Sequence, residues 1–261
     1  MRPLISTVFL ALIASCSPAP ETPTNTLDII PKTERQSGFA FLTRETKDLQ
    51  TDDFANPGLL WVDRGAEAFA QVPAGAESCV SCHQDHLAGV AARYPAVDTK
   101  TGALLNLEMR INQCRTTHQN LSPLAYESDE LLSLTSYVAH QSLGHAVEPD
   151  VSESALTYRA EGETYFFTRR GQFNLSCAQC HNDNWGKQLR GDTISQGHGN
   201  GFPAYRLEWQ SLGSLQRRLR DCDTGVRAEP LPYGDPTYVA LELYLAARAE
   251  GLSVETPAVR R

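Results

Sequence analysis

Apolar side chains are concentrated in three stretches of this chain, separated by long polar ones. The first, residues 4–14, follows Arg2 and contains no charged residue. It falls short of the ~20 residues that a membrane-spanning helix needs, so it reads as the apolar region of an export signal. The other two, residues 131–141 around Tyr137 and 238–249 around Tyr244, are helix-like and each comes late in its half of the chain. Earlier in each half a glycine stands four residues before an aromatic, in Gly65-Ala66-Glu67-Ala68-Phe69 and Gly162-Glu163-Thr164-Tyr165-Phe166. The same order of features occurs twice, which predicts an internal duplication. The polar stretch 148–154, carrying Pro149, is the expected boundary.

Length and charge add bounds. A chain of 261 residues accommodates two domains of ordinary size. A net charge of -8 gives no electrostatic footprint for nucleic acid and reads as a solvated acidic surface.

The candidate chemistry lies in two Cys-x-x-Cys-His runs, one per half: Cys79-Val80-Ser81-Cys82-His83 and Cys177-Ala178-Gln179-Cys180-His181. Each reads as a covalent attachment site for a c-type haem, with thioethers from the cysteines and a proximal nitrogen from the histidine. A zinc site would need a second ligand pair at suitable spacing. A thioredoxin-like pair would leave the histidine and its repetition unexplained. Around these runs, Gly-x-x-x-aromatic on one helix and tyrosine on a later one resemble the crossed terminal helices of class I cytochrome c domains. The expected fold is therefore mainly α, with two tandem class I cytochrome c-like domains. The expected divisions are a signal peptide at 1–15, a tether at 16–36, an N-terminal domain at 37–150 and a C-terminal domain at 151–261. The signal ends Ile13-Ala14-Ser15-Cys16, which resembles a lipoprotein box with a lipid anchor at Cys16; ordinary cleavage nearby is the alternative. Both imply a periplasmic location.

Methionine cannot complete both irons, since the chain holds only Met1, in the signal, and Met109. His86, His118, His140, His145, His198, Cys114 and Cys222 remain. Of seven cysteines, four belong to the haem runs and Cys16 to the signal region. Cys114 and Cys222 are left, one per half, each after a haem run and before the last apolar helix. This placement favours two distal thiolates over a Cys114–Cys222 disulfide, the alternative in an oxidising compartment. Thiolate ligation favours Fe(III) and low potentials, which suits chemistry at sulfur better than general electron carriage.

Cys222 ends the run Arg217-Arg218-Leu219-Arg220-Asp221-Cys222. On a helix Arg218 shares its face, four residues earlier, and could hold a thiolate and a sulfur oxyanion. The first half has a paler version, Arg110 before Cys114 with Arg115 after it. The loop Gly197-His198-Gly199-Asn200-Gly201 has glycines that would allow close backbone approach to haem or substrate.

These motifs, with Thr168-Arg169-Arg170-Gly171-Gln172 and the stretch from Gln196 to Pro203, resemble those of the SoxA family of dihaem cytochromes. The resemblance covers essentially the whole mature chain. It implies an L-cysteine S-thiosulfotransferase that couples thiosulfate oxidatively to a cysteine of a SoxYZ-like carrier. It also implies a SoxX-like cytochrome c subunit as partner and cytochrome c as electron acceptor. The family's reactive, haem-ligating cysteine falls on Cys222, its substrate-binding arginine on Arg218, and the distal cysteine of the first haem on Cys114. A plain dihaem electron carrier, a dihaem peroxidase and a non-catalytic scaffold are the rival readings.

Overall fold

The computed structural model describes residues 30–73, 75–84 and 86–261. The expected export signal, Cys16 and most of the expected tether lie outside these residues. In chain order the helices are α1 (Arg44–Thr51), α2 (Leu59–Ala70), α3 (Cys79–His83), α4 (Leu107–His118), α5 (Asp129–His140), α6 (Glu153–Phe167), α7 (Cys177–His181), α8 (Leu215–Gly225) and α9 (Pro236–Arg248). Polar side chains begin several of them. Asn106 accepts from the Met109 amide at α4, Ser128 from Leu131 at α5, Ser214 from Arg217 at α8, and Asp235 from Thr237 at α9.

The duplication is structural. In the first lobe α2 crosses α5, and in the second α6 crosses α9. A Cβ on Gly65 would lie 2.0 Å from the Ser133 carbonyl oxygen, and one on Gly162 would lie 2.1 Å from that of Ala240. No side chain fits at either crossing, so glycine sets how closely the helices approach. One turn on, the aromatics meet: Phe69 and Tyr137 have centroids 5.2 Å apart, Phe166 and Tyr244 5.3 Å. Around them lie the two cores, Leu87, Leu107, Leu134 and Val138 in one lobe, and Leu219, Tyr238, Leu241 and Leu245 in the other. Helix α9 also faces the first lobe, where Leu104 packs with Ala155, Val239, Ala240 and Leu243.

Two features depart from the sequence reading. The second lobe carries a three-stranded sheet, which the mainly helical expectation lacked. After the hairpins β1 (Ala96–Val97) with β2 (Leu104–Leu105), and β3 (Gln188–Leu189) with β4 (Asp192–Thr193), strand β5 (Ala204–Arg206) pairs antiparallel with β6 (Ser211–Gly213). β5 also pairs in parallel with β7 (Ala258–Arg260), in the order β6-β5-β7. This insert accounts for the longer interval between haem run and later cysteine in the second half.

The second departure concerns the expected tether at 16–36 and N-terminal domain at 37–150. The chain is docked from Ile30, which is buried. The Gln36 amide donates to Gln196 Oε1 at 2.8 Å, and Gln196 Nε2 donates to the Glu34 carbonyl at 2.9 Å. Helix α1 lies against β7, where Val259 N–H donates to Gln50 Oε1. Residues 30–51 thus clothe the second lobe, and the first lobe proper starts at α2.

Candidate functional site

Each haem run is a single helical turn, α3 in the first lobe and α7 in the second. In the second lobe, α7 begins at Ser176 with a reciprocal cap involving Gln179. His181 Nδ1 lies 2.8 Å from the Ser195 carbonyl oxygen. A carbonyl only accepts, so Nδ1 carries the proton and Nε2 keeps a free lone pair. Burial beneath this loop pushes the His181 pKa down to about 4, so the ring is neutral at physiological pH. A Cβ on Gly197 would stand 2.7 Å from His181 Cγ, so the predicted close backbone approach falls on this imidazole. Gly197 also has φ +77°, a second reason for glycine there.

Cys177 is fixed from the side. Arg170 Nη2 donates to Cys177 Sγ at 3.3 Å, while its Nε donates to Asp223 Oδ1 at 3.0 Å. Burial pushes the Cys177 thiol up to about 11 despite that guanidinium. Asp223, itself buried, also accepts from the hydroxyls of Tyr165 (2.7 Å) and Tyr238 (2.6 Å). Residues from α6, α9 and the Arg170 turn therefore converge on Asp223 of α8, next to Cys222. Sequence reasoning did not identify this clamp; its signal was Arg170 in a quoted motif and an Asp beside the candidate cysteine.

The first lobe repeats the plan more openly. Cys79 is half-buried, Cys82 and His83 are exposed, and Gln119 Nε2 lies 3.7 Å from Cys79 Sγ. Burial raises the Cys114 thiol, with Arg110 opposing.

Cys114 and Cys222 are both free thiols. Each lies within electrostatic range of its own lobe's haem run: the charge of Cys114 raises the Cys79 thiol and that of Cys222 raises those of Cys177 and Cys180. The disulfide alternative does not form. Among the alternative ligands, His140 Nδ1 sits 3.1 Å from the Thr256 carbonyl and His198 Nε2 3.2 Å from Gln196 Oε1. They occupy unrelated places in the two lobes. In the second lobe the donor set is two cysteines on one turn, a neutral imidazole with its tautomer fixed, and a sulfur within that lobe's electrostatic reach. It fits a c-type haem.

The arginines separate the lobes. Arg110 is fully engaged: Nε donates to the Tyr94 hydroxyl at 3.0 Å, Nη1 to Gln113 Oε1 at 2.6 Å, and Nη2 lies 3.6 Å from Asp98. On α8, Arg217 donates to Ser211 Oγ at 3.1 Å and stacks on Trp209 at 4.2 Å. Arg220 donates to the Leu231 carbonyl and stacks on Tyr233 at 4.6 Å. The Arg218 guanidinium, one helical turn before Cys222, makes no hydrogen bond or ion pair among the described residues. It is an uncommitted cation beside a half-buried sulfur.

A sequence model of the SoxA/TsdA cytochrome c domain matches residues 64–147 and again 161–254. The L-cysteine S-thiosulfotransferase subunit SoxA of Pseudaminobacter salicylatoxidans is 42% identical over 237 residues, covering 88% of this chain and 82% of that protein. The chain belongs to the SoxA family. A second SoxA subunit, from Paracoccus pantotrophus, is 41% identical over 227 residues, covering 86% of this chain and 78% of its own. The crystal structure of SoxXA from P. pantotrophus superposes with a TM-score of 0.83 at 41% identity, covering 87% of both chains. The tandem cytochrome c architecture is thus the SoxA architecture, and the haem-binding cytochrome character of the chain follows from it.

Proposed function

We propose that this chain is the catalytic subunit of an L-cysteine S-thiosulfotransferase, the activity its relatives are named for, with Cys222 as the reacting sulfur and Arg218 as a seat for thiosulfate. The uncommitted Arg218 guanidinium on the Cys222 face carries this reading. Its first-lobe counterpart Arg110 is consumed by three partners. Arg115, next to Cys114, is ion-paired with Glu130 at 3.4 Å, so neither arginine beside Cys114 is uncommitted as Arg218 is, and turnover is assigned to the second lobe.

Two covalent c-type haems, one on Cys79, Cys82, His83 and Cys114 and one on Cys177, Cys180, His181 and Cys222, would supply low-potential iron centres able to accept single electrons. The protein's own part is to bind and orient. Arg218 holds a sulfonate oxygen pair of thiosulfate in its planar fork. The terminal sulfur of thiosulfate bonds to Cys222 Sγ, and two electrons leave for a cytochrome c acceptor. The thiolate of a carrier cysteine then attacks that outer sulfur, forming carrier Cys–S–S–SO3− and returning Cys222 as thiolate. The Asp223 clamp holds α8 while the sulfur exchanges partners. A SoxX-type cytochrome c subunit is the partner that takes up the electrons, and a SoxYZ-type protein is the carrier. The chain works in the periplasm after export, anchored by acylation of Cys16; mass spectrometry of the mature N-terminus tests the anchor.

The functional test is Cys222→Met. The variant should load haem normally yet lose thiosulfate-dependent cytochrome c reduction by at least ~100-fold, as removal of a covalent nucleophile does. Full turnover would remove Cys222 from catalysis.

A further inference from the structure

Arg206 is a second cation of this site that the sequence reading did not single out. It lies on β5, the central strand of the second-lobe sheet, and is 7% exposed. Its Nη2 donates to Glu208 Oε2 at 3.1 Å, but the Glu208 side chain is 68% exposed, so water screens that pair. Its Nε is buried without a hydrogen-bond partner among the described residues. An unpaired buried donor is costly, and one in a native site calls for a partner.

The surroundings indicate what that partner is. Arg206 stacks on one side of Trp209 at 4.9 Å, with Arg217 also on that ring at 4.2 Å. The Trp209 indole N–H donates to Asp221 Oδ2 at 2.8 Å, immediately before Cys222. Sheet and α8 are thus pinned together beside the sulfur. Burial lowers the Arg206 pKa and the like charge of Arg218 lowers it further, while Glu208 and, to a lesser degree, Cys222 oppose both. Arg206, with its unmet buried donor, thus lies within reach of both the uncommitted Arg218, which repels it, and the Cys222 sulfur. Such a pair is relieved by a compact anion bearing several acceptor oxygens.

We infer that Arg206 is a second substrate-binding residue, completing with Arg218 a two-arginine seat for the sulfonate end of thiosulfate over Cys222. The inference rests on the proposed function and deepens it. Arg218 comes from a helix and Arg206 from a strand, so the two forks approach the anion from different elements. Sulfur compounds lacking the sulfonate group lose both contacts and bind poorly.

The test uses the holoprotein with its cytochrome partner and carrier, comparing wild type, Arg206→Gln and Arg206→Lys. Arg206→Gln should raise KM for thiosulfate about tenfold, with kcat changed less than about threefold, as loss of an ionic contact made in ground and transition state requires. Calorimetric titration of the oxidised holoprotein with thiosulfate should show dissociation constants weakened by a similar factor. Arg206→Lys keeps the charge but not the fork, and should fall between the two. Haem content and the electron paramagnetic resonance spectrum should stay unchanged. Unchanged KM and thiosulfate affinity in both variants would overturn the inference. So would unchanged KM with a shifted haem spectrum or potential, which would assign Arg206 to the haem instead. Should Arg206→Gln fail to fold, Arg206→Lys decides alone, since a wild-type KM there contradicts a bidentate contact. Wild-type protein that neither binds nor turns over thiosulfate would instead sink the functional proposal, a distinct result.

Discussion

At the scale of single residues, two arginines at equivalent positions of a repeat have opposite duties. Arg110 is held by Tyr94, Gln113 and Asp98. Asp98 in turn accepts from Gln113 and Thr101 side chains and the Lys100 amide. The Arg218 guanidinium has no hydrogen bond or ion pair among the described residues. Arg218→Ala should therefore raise KM for thiosulfate by ~10-fold or more with little loss of stability, since a guanidinium without a hydrogen bond or ion pair among the described residues contributes little to folding. Arg110→Ala should do the reverse, lowering the denaturation midpoint while thiosulfate kinetics stay near wild type. Steady-state kinetics paired with denaturant titration separates these; an equal kinetic defect in both variants would contradict the division of labour. The equivalence of the two positions was legible in the sequence, because both stand four residues before a cysteine. Their difference was not, because it depends on Tyr94 and Asp98, which reach Arg110 only through tertiary folding.

At the scale of elements, the account turns on the two glycine crossings. Gly162→Ala places a methyl group where the Ala240 carbonyl already lies at 2.1 Å, against backbone that cannot rotate away. Helix α6 must then lift from α9, which should cost ~3 kcal/mol or more, the upper part of the range for overpacking. Because α9 supplies Tyr238 to the Asp223 clamp, the same variant should broaden the haem spectrum of the second lobe. Chemical denaturation monitored at the haem band checks both, and a wild-type midpoint would refute the close crossing. These helices were readable because Gly65, Phe69 and Tyr137 recur in order as Gly162, Phe166 and Tyr244. The β6-β5-β7 sheet was not, since its strands are three residues long and β7 comes from the far end of the chain. Arg206 went unnoticed for that reason: its value lies in the sheet that buries it. The docking of residues 30–51 was equally hidden, as that segment is polar and finds its contacts on the opposite lobe.

At the scale of the whole molecule, the lobes meet across buried carboxyls. Glu108 of α4 and Glu242 of α9 are both buried. Glu242 accepts from Gln216 Nε2 at 2.7 Å and, across the lobe boundary, from Asn106 Nδ2 at 3.2 Å. Burial raises both pKa values, and like charge adds to it, from Glu127 at Glu108 and from Glu108 at Glu242. A raised carboxyl pKa means that the folded state holds protons which the unfolded chain releases. The stabilisation is complete below the ordinary value of 4.5 and is lost as pH rises from there into the neutral range. Glu108→Gln should flatten that decline. Denaturation midpoints measured from pH 4.5 upward for both proteins check it, and parallel curves would contradict it.

The central claim is that Cys222, and not Cys114, is the sulfur through which thiosulfate passes. Oxidised holoprotein is incubated with thiosulfate, partner and cytochrome c but without carrier, and its peptides are analysed by mass spectrometry. The expected result is a thiosulfonate-bearing sulfur on Cys222 alone, removed when a carrier thiol is added. Modification of Cys114, or continued thiosulfate turnover with Cys222 never modified, would contradict the account.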